Sequence, residues 1–109
     1  MKSFDGLIQS YLNANMDSGV VDAWLQEHAP CDDETLSALA EEIGANFLAG
    51  NMSFEAANGL LNDLMPRVGF ESAPLRFWQY YVAFEDFETA ANPDIDARAA
   101  IAAVASGVA

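Results

Sequence analysis

Apolar residues recur along this chain at intervals of three and four, and each run stops at a residue that begins or ends helices. In SFDGLIQSYLNAN, Phe4, Leu7, Ile8, Tyr11 and Leu12 share one face, the period of a helix with one side turned inward. In DSGVVDAWLQEHAP, Asp17 or Ser18 suits an N-cap, Val21, Trp24 and Leu25 face inward, and Pro30 prevents continuation. A third run restarts at Asp32 or Asp33, with acids in its first turn that favour the positive end of the helix dipole. Leu36, Leu39, Ala40, Ile43 and Phe47 form its stripe, and Gly50 suits the left-handed position past its end. Ser53 caps a fourth helix, whose Phe54, Ala57, Leu61 and Leu64 lie on one face before Pro66 ends it.

The link PRVGFESAP contains a glycine and two prolines and is the longest expected loop. Pro74 then opens a fifth helix that runs to about Thr89, and Asn92 with Pro93 makes the cap and first turn of a last one. In that last helix Asp94 and Arg98 stand at the i, i+4 spacing that pairs charges. No alternating pattern lasts long enough to form a strand. The expected fold is therefore all-α, a single domain over residues 1–109. It is a compact bundle of about six short amphipathic helices with an aromatic helix, 74–89, at its centre. A hydrophobic fraction of 52% in 109 residues closes such a core without disulfides or a structural metal.

Seventeen acids against four bases leave a net charge of −13. That balance excludes nucleic acid as a partner, because phosphates demand clustered bases and Lys2, Arg67, Arg76 and Arg98 are scattered. Anionic membrane surfaces are disfavoured on the same ground. The opening MKSFDGLIQSYL lacks the pattern of a signal peptide, and the apolar AAIAAVASGVA is only eleven residues long, short of the roughly 20 that span a bilayer. With the single Cys31, a reducing compartment is expected, and the cytoplasm is the default location.

The inventory for chemistry is thin. His28 and Cys31 lie three apart, but Pro30 separates them and Asp32 and Asp33 hold the thiol protonated. There is no Glu-x-x-His pair for a bundle-type di-metal site, and neither Asp94 with Asp96 nor Asp32, Asp33 and Glu34 has the spaced ligands of a calcium loop. Gly44, Gly50 and Gly59 occur singly rather than in a phosphate cradle. Gly44 and Gly59 weaken helix interiors, which points to close helix–helix contact at both. Asp17-Ser18 resembles the modified site of acyl carrier proteins, yet Gly19 stands where that family has Leu. The expectation is a chain that is not an enzyme and takes no cofactor or metal.

FWQYYVAFEDFE, residues 77–88, is half aromatic and a quarter acidic. On a helix, Phe77, Tyr81 and Phe84 step along one line and Trp78, Val82 and Glu85 along the next, and with Leu75 they cover well over half the circumference. Tyr80 and Phe87 fall nearer the polar side, beside Gln79, Glu85 and Asp86, where rings next to carboxylates suit a protein interface. Residues 31–73 hold eight acids and one base, −7, whereas the segments before and after carry −3 each. Such a field speeds encounter with a cationic partner.

FLAGNMSFEAANGLLNDLM, followed by YYVAFEDFE, resembles the layout of small acidic helical immunity proteins from bacterial toxin loci of the colicin-like and contact-dependent inhibition kinds. The resemblance implies a cytoplasmic protein that neutralises a cognate toxin, commonly a basic nuclease, by binding it. The expected partner-binding residues are Asp32, Asp33, Glu34, Glu41 and Glu42 on a charged face, with Tyr80, Glu85, Asp86, Phe87 and Glu88. The competing expectation is a homo-oligomeric structural or regulatory domain, a homodimer for example, joined through the Ala-rich last helix and exposed aromatics.

Overall fold

A computed structural model describes residues 4–29 and 31–107. Lys2, the expected stop at Pro30 and the last two residues of AAIAAVASGVA lie outside the described residues. The helices are α1 (Asp5–Asn13), α2 (Ser18–Glu27), α3 (Asp33–Leu48), α4 (Phe54–Val68), α5 (Leu75–Glu85), α6 (Pro93–Asp96) and α7 (Arg98–Ser106). The last two are halves of the expected sixth helix, joined at Ala97, whose own backbone is helical. No strand occurs among the described residues, and the fold is an all-α bundle.

Local chemistry starts three of these helices where the sequence expects them. Asp17 caps α2 by accepting from the Gly19 N–H, Asp32 caps α3 through Thr35, and Ser53 caps α4 through Ala56. Ser18 is thus the first helical residue rather than the cap. Gly50, at φ +84°, turns the chain after α3 in the conformation that glycine adopts without a Cβ penalty.

Other termini are satisfied from far away in sequence. The Phe4 N–H, at the start of α1, donates to Glu42 at 2.8 Å. The Phe54 N–H, at the start of α4, donates to Asp94 at 2.8 Å, and Arg98 donates to the Leu48 carbonyl at the end of α3 at 2.9 Å. Asp94 and Arg98 therefore do not pair with each other as their spacing suggests. Each meets the exposed backbone group, and the dipole end, of a different helix.

The core gathers around α3 and α5, which run parallel. Glu41 meets Arg76, Gly44 meets Tyr80, and Phe47 meets Phe84 at 5.3 Å between ring centroids, so the levels advance together. Phe54 of α4 completes an aromatic cluster, 5.7 Å from Phe84 and 6.3 Å from Phe47. α4 and α7 pack on the flanks of α5, while α1 and α2 pack together with α2 against α4. Both close approaches expected at glycine are present. A Cβ on Gly44 would overlap the Tyr80 ring, and one on Gly59 would sit 3.0 Å from the Tyr11 hydroxyl.

Three expectations are corrected. α4 does not end at Pro66 but continues to Val68, because Pro66 lies in the final turn, where its missing N–H removes a single helical bond. The Gly69 N–H still bonds the Met65 carbonyl at 2.9 Å, and Arg67 donates to the Asp63 carbonyl in the same turn. α5 stops at Glu85 rather than Thr89. Beyond it Phe87, Glu88 and Ala90 each bond a carbonyl three residues back, which tightens the chain into turns. Pro74 stands one residue before α5, as its cap position.

Candidate functional site

The way α5 faces its neighbours bears on where a partner could be met. Tyr80, expected near the polar side of α5, is 2% exposed. Its ring fills the slot left by Gly44, with the Arg76 guanidinium 5.0 Å above it. Burial of the ring raises the Tyr80 pKa above the ordinary tyrosine value. Phe77, Tyr80, Ala83 and Phe84 are the buried residues of α5. The inward arc is therefore rotated toward Tyr80, and part of the apolar circumference turns to solvent. Leu75 is 74% exposed and Val82 46%.

Beside them stands an aromatic group at the surface. Phe70, in the loop before α5, is 49% exposed and packs against Trp78 and Tyr81 at 6.0 and 6.3 Å, with Trp78 and Tyr81 edge to face at 5.6 Å. The Trp78 indole N–H donates to the Phe70 carbonyl at 3.1 Å and holds that loop to the helix. Partial burial raises the Tyr81 pKa, and its hydrogen bond to Glu85 adds to the shift. Trp78 also borders a groove of about 470 Å³ between α5 and α7, which Leu75, Val82, Ala83, Asp86, Ala100, Ala103 and Val104 help to line. Phe70, Leu75 and Val82 thus cluster on one face, with Glu85 and Asp86 at its margin. A large apolar face edged by carboxylates has the composition of an interface centre and its rim.

The expected charged residues do not form one site. Asp33 and Glu34 are exposed in the first turn of α3, where Asp32 caps. Because α3 and α5 are parallel, this end lies about 20 Å along the axis from Glu85 and Asp86. Glu41 is held by Arg76 at 2.6 Å, and Glu42 by the Phe4 N–H. Glu88 accepts from Asn58 and Asn62 of α4 at 2.9 and 3.0 Å, fastening the turn after α5, and Phe87 packs half-buried against the core. Of the ten expected residues, Glu85 and Asp86 border the aromatic face directly. Phe70, Leu75, Trp78, Tyr81 and Val82 were not among those expected. Their signal was the surplus of apolar positions around α5, more than a helix with an exposed side needs to bury.

The described arginines act as internal ties. Arg67 of α4 pairs with Asp22 of α2, which holds that carboxyl below its ordinary pKa, and Arg98 lies 5.5 Å over the Phe47 ring while bonding Leu48. Arg76 spans Glu41, Gln79 and the Ala105 carbonyl of α7. Each guanidinium neutralises or caps a neighbour, so the outward field stays negative.

His28 and Cys31 meet, but not as a dyad. The thiol donates to the His28 carbonyl at 3.4 Å, while the imidazole stacks on Trp24 at 4.4 Å with Nδ1 2.8 Å from the Trp24 carbonyl oxygen. Among the described residues no cluster of three or more His, Cys, Asp or Glu is placed to hold a metal ion, and no helix is long and apolar enough to cross a membrane. Comparison of this chain with protein-family models, with curated proteins and with solved structures gave no match.

Proposed function

We propose that this chain is a non-enzymatic protein-binding domain that engages a cationic protein. It acts as an immunity-type inhibitor of a basic toxin such as a nuclease. The observation that carries this reading is the apolar and aromatic face of α5, edged by Glu85 and Asp86 on a chain of net charge −13. The rings supply contact area at small entropic cost, and the surrounding carboxylates steer a positive partner and repel phosphates and anionic lipid. The resemblance of residues 47–65 and 80–88 to immunity proteins supports the same reading, and the single cysteine of the sequence agrees with a cytoplasmic setting.

The test is calorimetric titration against any basic protein found to be encoded beside this chain's gene, at salt near 0.05 M and again near 0.5 M. A stoichiometric complex that weakens at least about tenfold across that range is expected. Absence of a complex, or an affinity indifferent to salt, overturns the reading.

A second reading, a homo-oligomeric domain, is favoured by the alanines of α7 that line the groove beside exposed Leu75 and Val82. Sedimentation of the protein alone separates the two, since only this second reading expects a salt-insensitive dimer.

A further inference from the structure

The groove between α5 and α7 has a shape and a charge that select one kind of occupant. Arg76, in the first turn of α5, bonds the carbonyl of Ala105 in the last turn of α7, so the two helices run antiparallel. Ala83, Ala100, Ala103 and the buried Val104 lie along its floor, and Leu75, Trp78 and Val82 border it. A trough between two antiparallel helices is the shape that receives the apolar ridge of a third. α5 is eleven residues long, about 16 Å, room for roughly three turns of such a helix.

Charge decides whose helix it is. The one ionisable side chain in the lining is Asp86, which is exposed and has no side-chain partner among the described residues. Asp22 and Glu41, by contrast, are already neutralised by arginines. A second copy seated face to face would bring another Asp86 and another −13 against the first, and the described arginines are engaged elsewhere. A flanking Lys or Arg on the occupant finds an unpaired carboxylate at the groove's edge.

We propose that the α5/α7 groove seats one amphipathic helix of the cationic partner, its apolar ridge on Val82, Ala100 and Ala103 and a basic flank on Asp86. This rests on the reading of the chain as a binder of a basic protein and assigns the surface that does the binding.

The probe is a synthetic amphipathic peptide of about 14 residues, roughly four turns, with Leu along one face and Lys beside it. A control peptide carries Glu in place of each Lys. Binding is followed by fluorescence anisotropy and by amide shifts of the isotope-labelled protein. Saturable binding of the Lys peptide is expected, with shifts confined to α5 and α7. Val82→Ser should weaken it at least about tenfold and Asp86→Asn at least about fivefold, with unchanged circular dichroism. Equal binding of the Glu peptide, no saturable binding, shifts centred on α3, or indifference to both substitutions overturns the proposal. The two readings also fail separately. If the basic partner binds and neither substitution alters that complex, the groove assignment is lost and the wider function stands. If the groove takes the Lys peptide while the neighbour-encoded protein forms no complex, the wider function is lost.

Discussion

The inner and outer faces of α5 are built from the same kinds of side chain. Phe77, Tyr80 and Phe84 are enclosed by α3, α4 and α7, with Tyr80 in a slot that only a glycine on α3 leaves open. Trp78 and Tyr81 touch each other and Phe70 and pack half-buried against the core, while Leu75 and Val82 are exposed. The difference shows that aromatic content does not mark a core. What marks it at Tyr80 is a matching vacancy on the neighbouring helix, and Trp78 and Tyr81 stay partly exposed.

The contrast breaks first at Phe84. Phe84→Ala removes a fully buried ring from the cluster with Phe47 and Phe54 and should destabilise the protein by about 3–5 kcal/mol in urea unfolding. A cost no greater than that of an outer-face substitution would erase the distinction. Next comes the slot itself: Gly44→Ala should cost about 1–3 kcal/mol although alanine favours helix by about 1 kcal/mol, because the added methyl overlaps Tyr80. Pairing it with Tyr80→Leu should recover much of the loss, and if the double variant is no better the overlap is not the cause.

Tyr11→Phe deletes the 2.8 Å bond from the Tyr11 hydroxyl to Asp63 and should cost about 1 kcal/mol. It also alters the alkaline limb. Burial, with the Asp63 bond and charge, pushes the Tyr11 pKa well above the ordinary value near 10, and the Tyr80 and Tyr81 pKa values are raised too. The folded state therefore holds these protons more tightly than the unfolded chain. Their contribution is complete below pH about 10 and is lost as pH climbs from there toward the folded-state values. Unfolding free energy measured above pH about 10 should fall with pH, less steeply in Tyr11→Phe, and a rise would show the sign to be wrong. The smallest effect belongs to the outer face. Val82→Ser should leave stability within about 0.5 kcal/mol of the parent, and a larger loss on thermal unfolding would mean that this face supports the fold.

Much of this architecture was legible in the residues. Helical spacing, with Asp17, Asp32 and Ser53 at the starts and Gly50 after α3, located helices to within a few positions because caps and periodicity are local effects. Pro66 misled because the cost of proline depends on how far it stands from the helix end. The facing of α5 was not legible, since periodicity shows which positions are apolar but not that Gly44, thirty-six residues earlier, would receive Tyr80. Asp94 and Arg98 looked paired by spacing, yet the exposed ends of α3 and α4 compete for them and win. The candidate site was half visible: Glu85 and Asp86 were expected, Trp78 and Tyr81 were assigned inward, and Phe70 was read only as part of a loop.

The bonds from Asp94 to Phe54 and from Arg98 to Leu48 impose an order in time. A chain emerging from the ribosome can wind α3 and α4 early, but the facing ends of both stay wet until the stretch near residue 98 has been synthesised and folds back across them. Their final security is conferred retroactively, by residues 40 and 50 positions further along the chain.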